Sequence, residues 1–305
     1  MSAIVFERVT KKYGAVTALH EVSFAVEKGE MFGVIGPDGA GKTTAIRVAC
    51  GLLGLNGGKV TMLGRDPLRE HRAVTHAIGY LSQRFSLYGD LTIDENIAFF
   101  AEIHGVRDYG ARRDRLLELT QLTRFRGRLA GQLSGGMKQK LALACTLVHE
   151  PRLIMLDEPT TGVDPVSRRE FWKLLSEFLA QGITIVMSTP YLDEAERCSH
   201  VALLHNGRLL ALDTPAALRA TLPGQIFEVI AADHRQAARV LTGLPGVDSV
   251  QMFGERAHVR MKPDAEDGSR LLEHLRSAGV EPTAVRPVQA SLEDIFVARL
   301  GASQS

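Results

Sequence analysis

Short apolar runs and segments of helical period alternate along the first two thirds of the chain. Runs of predominantly apolar residues stand at 30–35, 153–156 and 183–189, a length and composition typical of buried strands in a parallel sheet. Helical periods stand between and beside them, at 44–50, 137–149 and 166–181. The first eight residues also have the pattern of a strand. This alternation predicts an α/β protein.

The pattern changes beyond Pro223 and Gly224. The remaining segments read in the order strand, helix, strand, strand, helix, strand. Their predicted limits are 226–231, 235–241, 247–253, 256–261, 268–277 and 283–287, with a closing helix at 291–301. Such an order predicts a small α+β domain of ferredoxin-like type. Upstream, between 83 and 134, the segments 93–104 and 112–122 have a helical period.

Length and charge support two domains and exclude one class of partner. At 305 residues the chain exceeds what one compact core usually holds. The 36 basic and 35 acidic residues leave no charge excess that would favour nucleic acid, so no nucleic-acid partner is expected. The cysteines Cys50, Cys145 and Cys198 lie in apolar or helical segments without metal-ligand spacing. We interpret them as reduced packing residues.

Residues 36–43 carry the stronger of two phosphate-binding motifs. They match G-x-x-x-x-G-K-[ST], in which loop amides surround phosphates, Lys42 reaches the terminal ones and the Thr43 hydroxyl ligates Mg²⁺. A predicted strand leads into the loop and a predicted helix leaves it, as a P-loop requires. The predicted nucleotide-binding residues are Gly36, Pro37, Asp38, Gly39, Ala40, Gly41, Lys42, Thr43 and Thr44.

Two carboxylates follow the apolar run 153–156. Asp157 and Glu158 are predicted to lie at the carboxyl end of a buried strand, where charges are costly unless a metal or a reaction uses them. Asp157 is suited to hold Mg²⁺. Glu158 is suited to polarise the water that attacks a terminal phosphate.

A second anion-binding element stands at Leu133, Ser134, Gly135, Gly136 and Met137. Ser134 is predicted to cap the helix behind it, and two glycines let backbone amides approach an anion at the positive end of that helix. One chain with two phosphate-binding elements indicates a site shared between two molecules.

Together these motifs resemble the nucleotide-binding subunit of ABC transporters of the drug-export (ABC-2) type. The resemblance covers residue 1 to about 220, and 291–301 is similar to the closing helix of drug-export and polysaccharide-export type ATPases. It implies a P-loop ABC ATPase fold with a parallel core sheet, antiparallel N-terminal strands and an inserted helical subdomain at about 86–133. The predicted domains are therefore 1–222, the ATPase, and 225–305, an accessory α+β domain.

The resemblance assigns roles to three further residues. Tyr13 stands where the family stacks an aromatic ring on adenine. Gln83 matches the glutamine that contacts Mg²⁺ and water and links them to the membrane partner, so it joins both the catalytic and the metal set. Asp164 matches the loop that crosses to the opposing subunit, although with Pro165 it is also a good N-cap and first-turn pair.

Pro190 departs from the family. The family places a histidine there, after the strand at 183–189, to donate a hydrogen bond to the terminal phosphate. Proline offers neither a side-chain donor nor a backbone N–H. Loss of one such donor costs about 2.7–4 kcal/mol, or roughly a hundred- to a thousandfold in rate. The alternative is that a nearby residue or water replaces it.

The family assembles head to tail, so each nucleotide site draws on both chains. This chain brings an intact signature at 133–137 to its partner's site and a weakened apparatus to its own. We therefore expect a second, non-identical ATPase subunit and separate permease subunits, with this chain as a peripheral subunit on the cytoplasmic face of the inner (plasma) membrane. The pattern resembles the degenerate half of bacterial exporters with paired, unequal ATPases. A regulatory nucleotide-binding module with negligible hydrolysis, or a soluble non-transport ABC ATPase, are the alternatives.

Overall fold

The computed structural model describes residues 2–83, 87–265 and 268–302, and this part of the chain divides into two compact units. The first unit is Met1–Thr214 and the second is Pro215–Ser305. The predicted boundary at 222–225 lies one helix later in the chain. Helix α8 (Pro215–Ala220) belongs to the second unit because it packs against the closing helix of that unit.

An antiparallel sheet of three strands opens the first unit. It contains β1 (Ser2–Tyr13), β2 (Val16–Glu27) and β4 (Gly57–Met62), in the order β2-β1-β4. Stacked rings of Phe6, Phe24 and Phe32 join it to the core sheet, with centroid distances of 4.3 and 5.2 Å. The expected antiparallel N-terminal strands are confirmed.

The core sheet has six strands in the order β5-β6-β7-β3-β8-β9. Its strands are β3 (Met31–Ile35), β5 (Ile78–Leu81), β6 (Leu153–Asp157), β7 (Thr184–Thr189), β8 (His200–His205) and β9 (Arg208–Asp213). All neighbours are parallel except β8 and β9. Ile35 pairs with Thr189, and Asp157 pairs with Ser188, so the loops after β3, β6 and β7 leave the sheet at one edge.

Helices pack around this sheet, and the three predicted at 44–50, 137–149 and 166–181 are found close to those places. They are α1 (Lys42–Ala49), α2 (His71–Ala77), α5 (Gly135–Leu147), α6 (Pro165–Ala180) and α7 (Leu192–Ala195). The central strands β3, β6 and β7 are buried at every residue, which explains their continuous apolar sequence.

The inserted helical segment contains α3 (Ile93–Ile103) and α4 (Gly110–Leu119). Thr92 and Glu95 form a reciprocal capping box that fixes the start of α3. The helix predicted to reach Leu122 ends earlier, because Gln121 has a φ of 59° and a 3₁₀ turn begins at Thr123. The predicted start of this subdomain, residue 86, lies outside the described residues.

The second unit continues with β10 (Ile226–Ala231), α9 (His234–Leu241), β11 (Val247–Phe253), β12 (Arg256–Met261), α10 (Ser269–Ser277), β13 (Pro282–Val288) and α11 (Leu292–Ala302). Its antiparallel sheet has the order β11-β12-β10-β13, which brings the first and third strands of the unit together. The predicted ferredoxin-like arrangement is confirmed.

Candidate functional site

The loop between β3 and α1 wraps around the ammonium group of Lys42. Lys42 Nζ donates to Gly36 O at 2.8 Å and to Pro37 O at 3.0 Å, and its side chain is 3% exposed. Gly41 has a φ of 104°, and a Cβ there would lie 2.5 Å from Ala18 O, so this position requires glycine. The glycine that the motif requires at this position is therefore explained by the close approach of the Ala18 carbonyl.

Asp157, at the end of β6, stands beside the first turn of α1. Its Oδ1 accepts from the Thr43 hydroxyl at 2.9 Å and from the Ser188 hydroxyl at 2.7 Å. Asp157 Oδ2 is buried without a hydrogen-bond partner among the described residues. A hydroxyl and an unpartnered carboxylate oxygen side by side are the ligands that Mg²⁺ prefers, so these residues fit the ion.

Glu158 follows directly and lies between Lys42 and Gln83. Lys42 Nζ is 3.1 Å from Glu158 Oε1, and Gln83 Nε2 donates to Glu158 Oε2 at 2.9 Å. Glu158 has a φ of 50°, an uncommon value for a residue other than glycine, and its N–H donates to Ser188 O at 3.1 Å. The backbone strain and the ion pair together aim this carboxylate at the loop.

A cavity of about 880 Å³ opens over these groups, a volume within the range of small-molecule sites. Its lining residues are Ala18, Pro37, Asp38, Gly39, Gly41, Lys42, Thr43, Thr44, Gln83, Glu158, Thr161, Pro190 and Tyr191. Pro190 thus stands in the wall that also holds Glu158 and Gln83. Gly36 and Ala40 form the loop without lining the cavity, and Tyr13 lies outside the lining, 47% exposed at the end of β1.

The signature at 133–137 forms the start of α5 and does not contribute to the lining of this cavity. Ser134 Oγ accepts from the Met137 N–H at 3.3 Å, which confirms Ser134 as the N-cap. A Cβ on Gly135 would meet nothing within 4 Å, whereas a Cβ on Gly136 would lie 2.2 Å from Ser167 Oγ. Gly135 leaves the helix start open to an approaching group, and Gly136 lets α5 pack against α6.

Asp164 is the N-cap of α6. Its Oδ1 accepts from the N–H groups of Val166 and Ser167, both at 3.0 Å, and hydrogen bonds from Ser167 lower the pKa of the Asp164 carboxyl. The capping role is confirmed, while the role across a dimer remains a prediction. A second groove of about 400 Å³ brings Gln83 to Gly135 and to the segment 161–163.

Two residues that the sequence did not single out belong to this region. The Thr161 hydroxyl lies 3.4 Å from Glu158 Oε2, and Glu194 is a buried carboxylate in α7 that contacts α6. Two sequence signals bear on Glu194: it lies in the stretch 191–196, which directly follows Pro190, and Arg168 and Trp172, spaced four residues apart, share one face of α6.

Comparison with known families agrees with the geometry. Residues 19–161 match the model of the ABC transporter family, and residues 214–299 match the model described as ATP-binding protein DrrA1-3-like, C-terminal domain. A daunorubicin resistance ATP-binding protein, DrrA2 of Streptomyces coeruleorubidus, is 34% identical over 309 residues, covering 98% of this chain and 95% of that protein. The chain belongs to the ATP-binding subunits of ABC transporters.

Two further relatives are themselves named as ATP-binding proteins of a multidrug transporter and of Nod factor export. The probable multidrug ABC transporter ATP-binding protein YbhF of Escherichia coli is 40% identical over 290 residues, covering 93% of this chain. The chain spans about half, 49%, of the length of that relative. Nod factor export ATP-binding protein I of Mesorhizobium japonicum is 34% identical over 303 residues, covering 98% of this chain and 87% of that protein.

Solved ABC structures share the fold. An ATP-binding subunit of an ABC transporter has a TM-score of 0.66 and 32% identity, covering 72% of this chain and 92% of that one. A bacterial ABC transporter cassette solved as a dimer has a TM-score of 0.62 and 27% identity, covering 69% and 98%. The matching proteins are ABC ATP-binding proteins, that is, ATPases coupled to transport. In the part of the chain that the structure describes, no helix has the length and apolarity needed to cross a membrane.

Proposed function

We propose that this chain is the ATP-hydrolysing subunit of an ABC exporter and drives a separate permease as one half of an unequal pair. The carrying observation is that Pro190 lines the same 880 Å³ cavity as Glu158 and Gln83. The cavity is lined by P-loop residues, Glu158 and Gln83, which supports nucleotide binding. The multidrug, daunorubicin-resistance and Nod-factor relatives support an export role.

The chemistry follows from the donors and acceptors in the cavity. Lys42 already donates to two loop carbonyls and lies 3.1 Å from Glu158, so a terminal phosphate would take Glu158's place beside the ammonium. The released carboxylate is then available to accept a proton from water. Thr43, Asp157 and Gln83 would hold Mg²⁺, which when bound neutralises charge on the phosphate oxygens.

Pro190 limits this chemistry. It contributes no hydrogen-bond donor to the terminal phosphate, so the site of this chain stabilises the transition state less than a site with a histidine there. The signature at 133–137 would complete the partner's site, where a full set of donors sustains faster turnover. The cassette solved as a dimer supports pairing of such subunits. The complex would lie at the cytoplasmic face of the inner membrane, because this subunit would act through permease subunits.

The first experiment measures ATP turnover by the purified chain alone and mixed with a second ATPase subunit. We expect slow turnover alone, a large rise on mixing, and a rise of roughly a hundredfold or more for Pro190→His alone. Pro190→Ala is the matched control: like Pro190→His it removes the ring and restores a backbone N–H, but it adds no side-chain donor, so its turnover is expected to stay slow. Fast hydrolysis by the wild-type chain alone would refute the unequal pair.

A regulatory role with negligible hydrolysis is the second candidate, and Pro190 is the observation that favours it. Glu158→Gln in this chain and the matching change in the partner separate the two. If both changes reduce turnover of the mixed pair, this chain hydrolyses ATP. If only the partner's change abolishes turnover, this chain is the regulatory half.

A further inference from the structure

Glu194, in α7, is a buried carboxylate that accepts five hydrogen bonds from three other parts of the chain. It is 1% exposed. Its Oε1 accepts from the Thr160 hydroxyl at 2.7 Å, from Arg168 Nη2 at 2.8 Å and Nε at 3.1 Å, and from Trp172 Nε1 at 3.4 Å. Its Oε2 accepts from the Thr189 hydroxyl at 2.7 Å.

Two of these donors, Thr160 and Thr189, stand next to residues that line the nucleotide cavity, and the other two, Arg168 and Trp172, lie on α6. Thr160 comes two residues after Glu158, on the loop that leaves β6. Thr189 is the last residue of β7 and directly precedes Pro190. Arg168 lies one turn after Asp164, the N-cap of α6. Glu194 therefore connects the loop of the carboxylate, the Pro190 wall and the start of α6.

Tyr191, which follows Pro190 in the cavity wall, contacts two of the residues that donate to Glu194. The Tyr191 N–H donates to the Thr189 hydroxyl at 3.0 Å, so one hydroxyl serves both Tyr191 and Glu194. The Arg168 guanidinium lies over the Tyr191 ring, 4.7 Å from its centroid. Arg168 thus contacts both the carboxylate and the wall residue that lines the cavity.

Burial of a carboxylate is costly unless charge and hydrogen bonds compensate it. Here Arg168 provides two charged donors and the hydroxyls occupy the remaining acceptor sites. Burial of Arg168 opposes its charge, but hydrogen bonding to Glu194 prevails and raises the pKa of Arg168. A fully satisfied buried network of this kind tolerates few other arrangements, so its members hold fixed relative positions.

We propose that Glu194 is a positioning residue that couples the start of α6 to the walls of the nucleotide cavity. A partner subunit that engages Asp164 acts on α6, and nucleotide at Glu158 acts on the Thr160 loop; Glu194 joins the two. The inference rests on the nucleotide-dependent function proposed above. It adds a residue outside the nucleotide-binding, catalytic and signature residues predicted from the sequence, and it assigns to Glu194 a role in positioning rather than in contact with ATP.

Trp172 gives this network an internal reporter. It is the only tryptophan of the chain, it is 4% exposed, and its indole N–H donates to Glu194. Any shift of the carboxylate changes the polarity around the indole and hence its emission. We expect a non-hydrolysable ATP analogue with Mg²⁺ to change Trp172 emission in the full-length chain.

Thr160→Val is the decisive variant. It removes the hydrogen bond between Glu194 and the loop that carries Glu158, and it leaves the Trp172 side chain unchanged. We expect it to reduce the emission change at least severalfold, while calorimetry gives an affinity for the analogue within about threefold of wild type. Glu194→Gln removes the charge and is expected to abolish the change. Glu194→Gln also alters the surroundings of Trp172 directly. Thr160→Val therefore keeps the test interpretable even if Glu194→Gln folds poorly.

Glu228→Gln is the matched control. Glu228 is also buried, at 4% exposure, and accepts from Arg256 at 3.0 Å and from Arg286 at 2.8 Å, but it lies in the second unit. Glu228→Gln is expected to lower the stability of the protein but to leave the change in Trp172 emission on binding the analogue intact.

The outcomes separate the two proposals. An undiminished response in Thr160→Val, or binding by wild type without any emission change, would overturn the role of Glu194 and leave the proposed function standing. No binding of the analogue by wild type would overturn the proposed function, and this inference with it.

Discussion

At the residue scale, Gly135 and Gly136 stand side by side, yet their surroundings impose different demands. A side chain at Gly135 would extend into open space, whereas one at Gly136 would collide with Ser167 on α6. The sequence motif presents the two as equivalent phosphate-binding glycines. The structure shows that one of them is required by helix packing.

Gly136→Ala is therefore expected to destabilise the first unit by about 1–3 kcal/mol, since the new methyl group overpacks the contact with Ser167. Urea unfolding monitored by circular dichroism measures the change. Gly135→Ala is the neighbouring control, and it should be neutral or stabilising by up to about 1 kcal/mol. The double variant Gly136→Ala, Ser167→Gly should recover most of the loss. Equal effects of the two single alanine substitutions would contradict this account.

Much of the candidate site could be predicted at this scale because its motifs are local. Lys42, Thr43, Asp157 and Glu158 follow from short patterns, and the structure brings them within hydrogen-bond distance. Glu194 could not be predicted, since its donors lie up to 34 residues away and no short pattern joins them. Burial of a carboxylate depends on tertiary packing, which local sequence does not encode.

At the element scale, α3 and α5 meet through a stacked pair of histidines. The rings of His104 and His149, which follow the ends of these helices, lie 3.7 Å apart between centroids and 3° from parallel. Burial, and then the nearby charge of His104, lower the pKa of His149 to about 4. Burial and the charge of His76 lower that of His104 as well. Protonation of either histidine therefore destabilises the contact between α3 and α5.

This contact predicts a pH dependence of stability with a definite sign. His149 titrates near 6.5 when unfolded and near 4 when folded, so the unfolded state binds the proton first. The contribution of neutral His149 to the free energy of unfolding is fully present above about pH 6.5 and is lost progressively as the pH falls toward 4. Unfolding free energies at pH 7.5, 6 and 5 measure the effect.

His149→Phe keeps an aromatic ring and removes the titration, so its stability should fall less between pH 7.5 and 5 than that of wild type. His20→Gln, at an exposed position, should retain the wild-type dependence. A slope for His149→Phe identical to wild type would exclude His149 as the cause.

Most element types and many limits agree with the sequence, because buried strands and amphipathic helices carry their own periodicity. The early end of α4 was not predicted, since the left-handed backbone at Gln121 occurs in a residue that is not a typical helix terminator. The stacked histidines lie 45 residues apart and left no periodic signal, so only the folded helices bring them together.

At the scale of the whole molecule, the nucleotide cavity and the second unit use separate stretches of chain. The cavity lining ends at Tyr191, and the large core cluster of the first unit extends from Ala3 to Leu204. The second unit has a core of its own, between Phe227 and Val280. The sequence predicted two domains, but it assigned α8 to the first, because the family resemblance extends to about residue 220.

A chain ending at Thr214 is expected to fold cooperatively and to bind ATP within about threefold of the full-length affinity, because it retains every cavity residue. Calorimetric titration with ATP and Mg²⁺ on both proteins measures this. A chain ending at Ala202 is a suitable control, since it removes part of β8 and all of β9 and should fail to fold. Loss of binding after truncation at Thr214 would show that the second unit contributes to the site.

The contact between Gly136 and Ser167 has a consequence for assembly. It sets the starts of α5 and α6 against each other within one chain, and these starts carry Ser134 and Asp164, the two groups proposed to reach across to a partner. Because the two helix starts are packed against each other, Ser134 and Asp164 keep a fixed position relative to each other. A partner would therefore meet both together, and its site would be completed in one movement rather than in two.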